Sequence, residues 1–429
     1  MSRKPETTLD GYKIDHRRQY APLTNLVMAN ITARGSRVDW ADKIVIFGNQ
    51  GFVKEHLLEF WDREFFSKPI EEIIHRFTRR LKGYIGEEGA KQVGTEHLEY
   101  LHSLGYLPLR IMAIPEGEHL PIRIPSMVVY NTDPKCFWLT NAIETIWSNV
   151  SWIAPTTATT ANQYRVILDA WCKATAPEAI DFVDFQAHDF SFRGLAGLGM
   201  ADMVGAAHLT SFVGTDTTTA IDYLEDNYLA DCEKELVAAT VFATEHSVMC
   251  SGGKEDELLT FNRLITETYP SGIVSIVSDT WDFWKVINPN GGLLAQLKDK
   301  IVARDGKVVI RPDSGDPVKI VTGWTYIEID NLSQLPTSKK VERVVCEGTV
   351  YEYDPVASNA RQSVRWMKTN MDVIEVKGLI QCLWEIFGGT TSSKGMKCLC
   401  EKIGAIYGDA ITLERVEKIC QRLAEKGFA

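Results

Sequence analysis

The chain has 429 residues, 45% of them hydrophobic and 24% charged, enough to bury a large α/β core with a smaller companion domain. Its net charge of -11 at pH 7 argues against a general nucleic-acid or anionic-membrane binder, because phosphate surfaces are held by surplus Lys and Arg; a local basic cluster around a small phosphorylated ligand stays open. No signal-peptide core opens the sequence, no apolar run approaches the ~20 residues of a membrane helix, and the nine scattered cysteines include no CxxC pair, so reduced thiols and a cytoplasmic location are expected.

Residues 52–104 carry apolar positions such as Leu57, Leu58, Trp61, Phe65, Ile70, Ile74 and Phe77 at three- and four-residue spacing, which predicts helices. From 105 to 150, Pro108, Pro115, Pro121, Pro125 and Pro134 punctuate short extended runs such as IRIPSMVVY, the pattern of a small β-rich unit. Pro155 and the Thr-rich stretch after it suggest a boundary, giving domains 1–154 and 155–429. Beyond about 160, apolar runs alternate with helical patterns and read as buried parallel strands at 180–185, 209–213, 273–277, 308–310 and 403–407. Residues 324–395 interrupt this rhythm as an insertion, with a hairpin expected around Glu347-Gly348 and a helix over 376–387. A last helix, capped by Thr412 and ended near Gly427, presents Leu413, Val416, Ile419 and Leu423 on one face. Cys420 falls inside it and reads as a small core residue.

The chemical signal is recurrence. Four predicted strands end in an Asp within a tight turn: Asp216, Asp279, Asp313 and Asp409. In parallel α/β folds the C-terminal strand ends form the ligand face. Taken singly, each Asp could equally be a turn or capping residue. Arg311 directly follows an apolar strand and can grip a carbonyl, hydroxyl or phosphate, or pair with Asp313. The loop His188-Asp189-Phe190-Ser191-Phe192-Arg193-Gly194 could stack a flat heterocycle and hold a phosphate. His246 could carry a proton or accept a phosphoryl group. Neither a GxxxxGK[ST] loop nor a GxGxxG fingerprint is present.

Taken in order, LDGYKIDHRRQYAP (9–22), FGNQ (47–50), PEG (115–117), NTDPKCFWLTNAIET (131–145), HDFSFRG (188–194), AAHLTSFVGTDT (206–217), ATEHS (243–247), VSIVSDTWD (274–282), VVIRPDSGDP (308–317) and IYGD (406–409) resemble the nicotinamide phosphoribosyltransferase family. The resemblance implies an irregular α/β barrel of the type II phosphoribosyltransferase kind with a second, β-rich domain that includes N-terminal helices, and active sites at a homodimer interface. It implies nicotinamide and phosphoribosyl pyrophosphate as substrates, Mg2+ with the pyrophosphate and no metal site of the chain's own, and ATP as a coupled, non-obligatory substrate. Phe190 and Tyr12, the latter from a second subunit, would sandwich the pyridine ring. Asp216 would accept the amide N–H, and Ser275 and Arg311 would meet the amide oxygen. Asp279, Asp313, Gly408 and Asp409 match ribose-binding positions. Arg193 and Arg34 match arginines near the phosphates, and His246 matches a phosphorylatable histidine. Nicotinate phosphoribosyltransferase is the neighbouring alternative. The family's pattern continues past residue 429 with a strand and a glycine-rich phosphate loop. That implies a chain lacking the C-terminal portion: a truncated or split enzyme, or a non-catalytic nucleotide-binding homologue.

Overall fold

A computed structural model of the chain describes residues 3–338, 340–354 and 365–429. They divide into two compact units, Met1–Arg165 with Asp184–Ala239, and Val166–Val183 with Thr240–Ala429.

In the first unit, strands β1 (Met28–Thr32), β2 (Leu109–Ala113) and β3 (Pro125–Asn131) form an antiparallel sheet with β3 in the centre. Helix α1 (Ile70–Val93) and helix α2 (Glu96–Leu104) supply the predicted helical stretch, and Gly105 ends α2 in the left-handed region at φ 75°. The β-rich reading of 105–150 holds as far as Asn131. Helix α3 (Leu139–Ser151) then buries Leu139, Ile143, Ile146 and Trp147, a 0, 4, 7, 8 spacing that fits a helix and not a strand. These side chains join Phe52, Phe65, Ile73, Leu101 and Met127 in one core. Residue 154 lies in the first turn of α4 (Ile153–Thr175). Pro155, read from sequence as a boundary mark, is tolerated there because first-turn N–H groups have no intrahelical acceptor.

Two pairs of sequence motifs meet in this unit. Lys13 Nζ lies 2.6 Å from Glu144, Thr145 Oγ1 donates to Asp10 at 2.6 Å, and His16 Nδ1 lies 2.9 Å from Asn141 Oδ1, joining 9–22 to 131–145. Glu116 of PEG accepts from the Gly48 and Gln50 N–H groups of FGNQ at 2.8 and 2.7 Å, and from the Tyr228 hydroxyl at 2.8 Å. Those contacts therefore serve architecture. Glu116→Ala is expected to lower stability by about 2 kcal/mol, since it strands two backbone donors and a half-buried phenol. Urea unfolding of the variant beside the parent checks this, and coincident midpoints would count against it.

The same unit holds a short parallel pair, β4 (His188–Asp189) and β5 (Gly214–Thr215), with helices α5 (Leu198–His208) and α6 (Thr219–Tyr228). The strand expected at 209–213 is instead the chain leaving α5, where Leu209, Thr210 and Ser211 N–H groups still donate to helix carbonyls.

The strand expected at 180–185 is instead a 3-10 stretch, Pro177–Phe185. Only Val183 of its apolar residues is buried; Phe182 and Phe185 are exposed, so the run lacks the two-sided burial of a central strand. In the second unit the strands expected at 273–277, 308–310 and 403–407 stand where the sequence puts them, and Phe242–Ala243 adds one the sequence did not suggest. β6 (Phe242–Ala243), β7 (Ser271–Val277) and β8 (Asp305–Arg311) run parallel, in register from Ser271↔Asp305 to Val277↔Arg311. Helix α7 (Leu293–Ala303) makes the crossover from β7 to β8 that parallel pairing needs. The 324–395 stretch contributes a sheet of β9 (Tyr326–Ile329), β10 (Arg343–Cys346), β11 (Thr349–Tyr353) and β12 (Trp366–Lys368), in that order. The β10–β11 hairpin turns at Glu347 and Gly348, both at positive φ (49° and 74°), the conformation a tight two-residue hairpin demands. Helix α8 (Leu379–Phe387) follows. Strand β13 (Ile403–Ala405) returns to the first sheet, giving the order β13-β8-β7-β6 with every pair parallel. Thr412 caps α9 (Leu413–Glu425), its hydroxyl accepting from Arg415 N–H, and Gly427 lies at φ 80°. Cys420 lies within that helix, and burial pushes its thiol up to about 11.

The protein is thus a mixed α/β fold. Among the described residues the parallel pairings form an open sheet of four, the separate pair β4–β5 and the β9–β10 edge of the mixed sheet, not one continuous closed barrel. No helix of the described residues is long and apolar enough to cross a membrane.

Candidate functional site

Of the sequence-predicted residues, Phe190 and Asp216 come together in the first unit and His246, Asp279, Arg311, Asp313 and Gly408 in the second, while Tyr12, Arg34 and Arg193 make no contact with either group among the described interactions. In the first unit, β4 and β5 pair so that His188 faces Gly214 and Asp189 faces Thr215. Asp189 is buried. It accepts from Ser191 N–H at 3.0 Å, Thr215 Oγ1 at 3.0 Å and Thr217 Oγ1 at 2.7 Å. Burial alone would raise its pKa, but the hydrogen bonds from Ser191 and Thr217 outweigh it and hold the carboxyl below its usual range. Asp189 therefore fixes the two loops that follow β4 and β5. Sequence reasoning gave it no role; its signal was an Asp 26 and 28 residues ahead of two threonines, legible only once the strands are paired.

Those loops carry Phe190 and Asp216. Phe190 is 37% exposed, with its ring 4.7 Å from that of His188. His188 Nε2 lies 2.8 Å from Asp216 Oδ1. A partly exposed aromatic face beside a carboxylate suits a flat ring bearing a hydrogen-bond donor. Arg193 is exposed in the short turn Phe192–Gly194, Arg34 is exposed in the loop after β1, and Tyr12 is 68% exposed.

In the second unit the C-terminal ends of four parallel strands bring together His246, Asp279, Arg311, Asp313 and Gly408. Asp279 is the hub. Its Oδ2 accepts from Asp313 N–H at 2.8 Å and Ser314 Oγ at 2.6 Å, and its Oδ1 lies 3.2 Å from His246 Nε2. Burial raises its pKa, and the bonds from Ser314 and Asp313 with the nearby imidazole bring it below the usual value, so the carboxylate is ionised at neutral pH. Arg311 Nη2 stands 3.6 Å from Asp313 Oδ2. Gly408 packs against that pair: a Cβ there would fall 2.5 Å from Asp313 Oδ1 and 3.0 Å from Arg311 Nε. Only glycine lets the β13 loop approach so closely. Asp409 is exposed next to Ala410, which is held at φ 51°.

One further feature escaped the sequence reading. Tyr407 donates to the Gly315 carbonyl at 3.0 Å and clasps the 311–315 turn. Burial, then the charges of Asp279, Asp409, Asp313 and Asp316, push its hydroxyl up to about 12, a measure of how acidic this strand-end face is. Ser275, expected from the sequence at the amide oxygen, presents its hydroxyl from β7. It is buried and has no hydrogen-bond partner among the described residues, an arrangement that invites a polar ligand group.

No three His, Cys, Asp or Glu side chains of the described residues converge as a metal site. One or two carboxylates together with substrate phosphates are enough for Mg2+, and Asp279, Asp313 and Asp409 are of the right chemistry.

The model of the nicotinate phosphoribosyltransferase (NAPRTase) family matches residues 185–429. The nicotinamide phosphoribosyltransferase of Acinetobacter baylyi is 45% identical over 436 residues, covering 99% of this chain and 76% of that protein. The nicotinamide phosphoribosyltransferase of Mycoplasma pneumoniae is 30% identical over 430 residues, covering 98% of this chain and 81% of that protein. A crystal structure of human nicotinic acid phosphoribosyltransferase superposes with a TM-score of 0.47 at 14% identity, over 72% of this chain and 60% of that one.

Proposed function

The chain belongs to the nicotinamide phosphoribosyltransferase family, and we propose that it transfers the phosphoribosyl group of phosphoribosyl pyrophosphate to nicotinamide, giving nicotinamide mononucleotide and pyrophosphate in NAD salvage. The observation that carries this reading is the Asp279 hub, which ties His246, Asp313 and Ser314 together at the ends of parallel strands.

In this reading the pyridine nitrogen attacks the ribose C1 as the bond to pyrophosphate breaks. The ring nitrogen is already nucleophilic and needs no base. Positive charge grows on the ribose, and the fixed carboxylates of Asp279 and Asp313 stabilise it without reorganising. Phe190 stacks the ring and orients the nitrogen. Asp216 accepts from the amide, while Ser275 and Arg311 donate to the amide oxygen. Asp313, Gly408 and Asp409 hold the ribose. Arg193 and Arg34 draw the phosphates, and bound Mg2+, held through Asp313 or Asp409 with the pyrophosphate, would neutralise the leaving group. His246 is a phosphoryl acceptor that couples ATP hydrolysis to turnover; its side chain is 46% exposed and its ring leans on Asp279. Tyr12 would complete the ring sandwich from a second copy of the chain, in a cytoplasmic homodimer.

The test is product formation from phosphoribosyl pyrophosphate and Mg2+ with either nicotinamide or nicotinate. Faster turnover of nicotinate would overturn the reading in favour of the acid, for which the family model is named. A second expectation concerns selectivity. An Asp216 carboxylate repels the carboxylate of nicotinate, so Asp216→Asn is expected to shift the kcat/KM ratio toward nicotinate about tenfold. An unchanged ratio would remove Asp216 from that role.

A further inference from the structure

We propose that His188 is a positioning residue that sets amide-over-acid selectivity by orienting Asp216, and that Gly214 is the residue that lets it do so. The proposal rests on the reading above, that Asp216 receives the nicotinamide amide.

Three observations converge. First, His188 Nε2 lies 2.8 Å from Asp216 Oδ1, a short charge-assisted distance. For that contact Nε2 carries the hydrogen and donates it. Second, parallel register sets His188 directly beside Gly214. A Cβ on residue 214 would fall 2.6 Å from His188 Nδ1, too close for any side chain unless the ring moves away. The missing side chain of Gly214 is thus the seat of the imidazole. Third, the His188 ring lies 4.7 Å from the Phe190 ring, tilted by 40°. One imidazole therefore touches both the aromatic that would stack the substrate ring and the carboxylate that would read its substituent.

The Asp216 side chain is 42% exposed, so burial does not fix its orientation. The paired imidazole holds its Oδ1 in place. A carboxylate held in one orientation discriminates an amide from an acid better than one that can swing toward solvent, because the wrong substrate then meets a charge that cannot move aside.

The experiment compares kcat/KM for nicotinamide and for nicotinate in the parent chain and in His188→Ala, His188→Gln and Gly214→Ala. His188→Ala is expected to lower the nicotinamide-to-nicotinate ratio about tenfold, the size of one charge-assisted hydrogen bond, mostly through KM for nicotinamide. His188→Gln, whose amide nitrogen can donate from a similar position, is expected to restore most of the ratio. Gly214→Ala keeps both side chains but displaces the ring, and is expected to resemble His188→Ala. A His188→Ala variant that slows both substrates equally would overturn the proposal and leave His188 a structural residue. Failure of His188→Gln to recover any of the ratio would overturn the hydrogen bond as its basis. Titration of nicotinamide and nicotinate binding reads the same selectivity without turnover. A parent chain that binds nicotinamide but forms no product would therefore sink the reaction assigned above and leave this test in force.

Discussion

Asp279→Ala is expected to lower kcat/KM about a thousandfold while the chain stays folded. The carboxylate has three engagements on the strand-end face: Asp313 N–H, Ser314 Oγ and His246 Nε2. Removing it releases the turn that presents Asp313 and Arg311, and displacement of reacting groups by ~1 Å already costs on the order of a hundredfold. It also removes a fixed negative charge where positive charge develops, worth a further factor of about ten or more. Asp279→Asn separates the two effects. Its oxygen can still accept from Ser314 or Asp313, so the turn survives while the charge is lost, and a fall of about a hundredfold is expected. Steady-state kinetics of both variants, with circular dichroism to confirm folding, make the check. Activity within threefold of the parent in Asp279→Ala would remove the hub from the mechanism. The pH direction follows from the same bonds. The folded pKa of Asp279 is lowered, so its charge is present throughout the neutral range, and activity that depends on it is lost only as pH falls through that lowered value.

The parts of this fold legible in the sequence are those encoded locally. β7 and β8 are buried apolar runs ending in Asp turns, and both stand where the pattern puts them. Glu347-Gly348 is a hairpin turn because both residues accept positive φ, and Thr412 caps α9 because its hydroxyl reaches a free N–H. The misreadings share a cause. IDFVDF and LTSFV are as apolar as true strands, but whether such a run is a strand depends on what covers it, and Phe182 and Phe185 stay exposed. The candidate site divides in the same way. Asp279 and Asp313 announce themselves as strand-end acids, whereas their hydrogen bond across 34 residues is set by the register of β7 on β8. His188 on Asp216, Asp189 on Thr217 and Tyr407 on Gly315 are likewise products of strand pairing. Local sequence carries the residue types of a site, and tertiary register decides which of them touch.

Asp189 supplies the largest expected effect on stability. Its two oxygens accept three hydrogen bonds in a buried setting, from Ser191 N–H and the hydroxyls of Thr215 and Thr217, and Thr217 is fully buried. Asp189→Ala leaves those donors without an acceptor and without water. At about 1–3 kcal/mol for each buried group so orphaned, partly relieved by relaxation, a loss of about 3–5 kcal/mol is expected. That is a large share of a typical domain's stability. Asp189→Asn has one acceptor oxygen and presents an N–H2 to hydroxyls that can turn to accept from it, so its cost is expected to be about half. The two variants also differ in their response to acid. The folded pKa of Asp189 is lowered relative to the unfolded chain. Its ionised form therefore stabilises the fold fully above the unfolded value of about 3.9, and that contribution is lost as pH falls through the folded value. Urea midpoints at neutral pH and near pH 3 are expected to draw together in Asp189→Asn relative to the parent, because the variant has no charge to lose. An Asn variant whose acid sensitivity matches the parent would show that other carboxylates carry it, and that the Asp189 clamp holds its loops by shape rather than by charge.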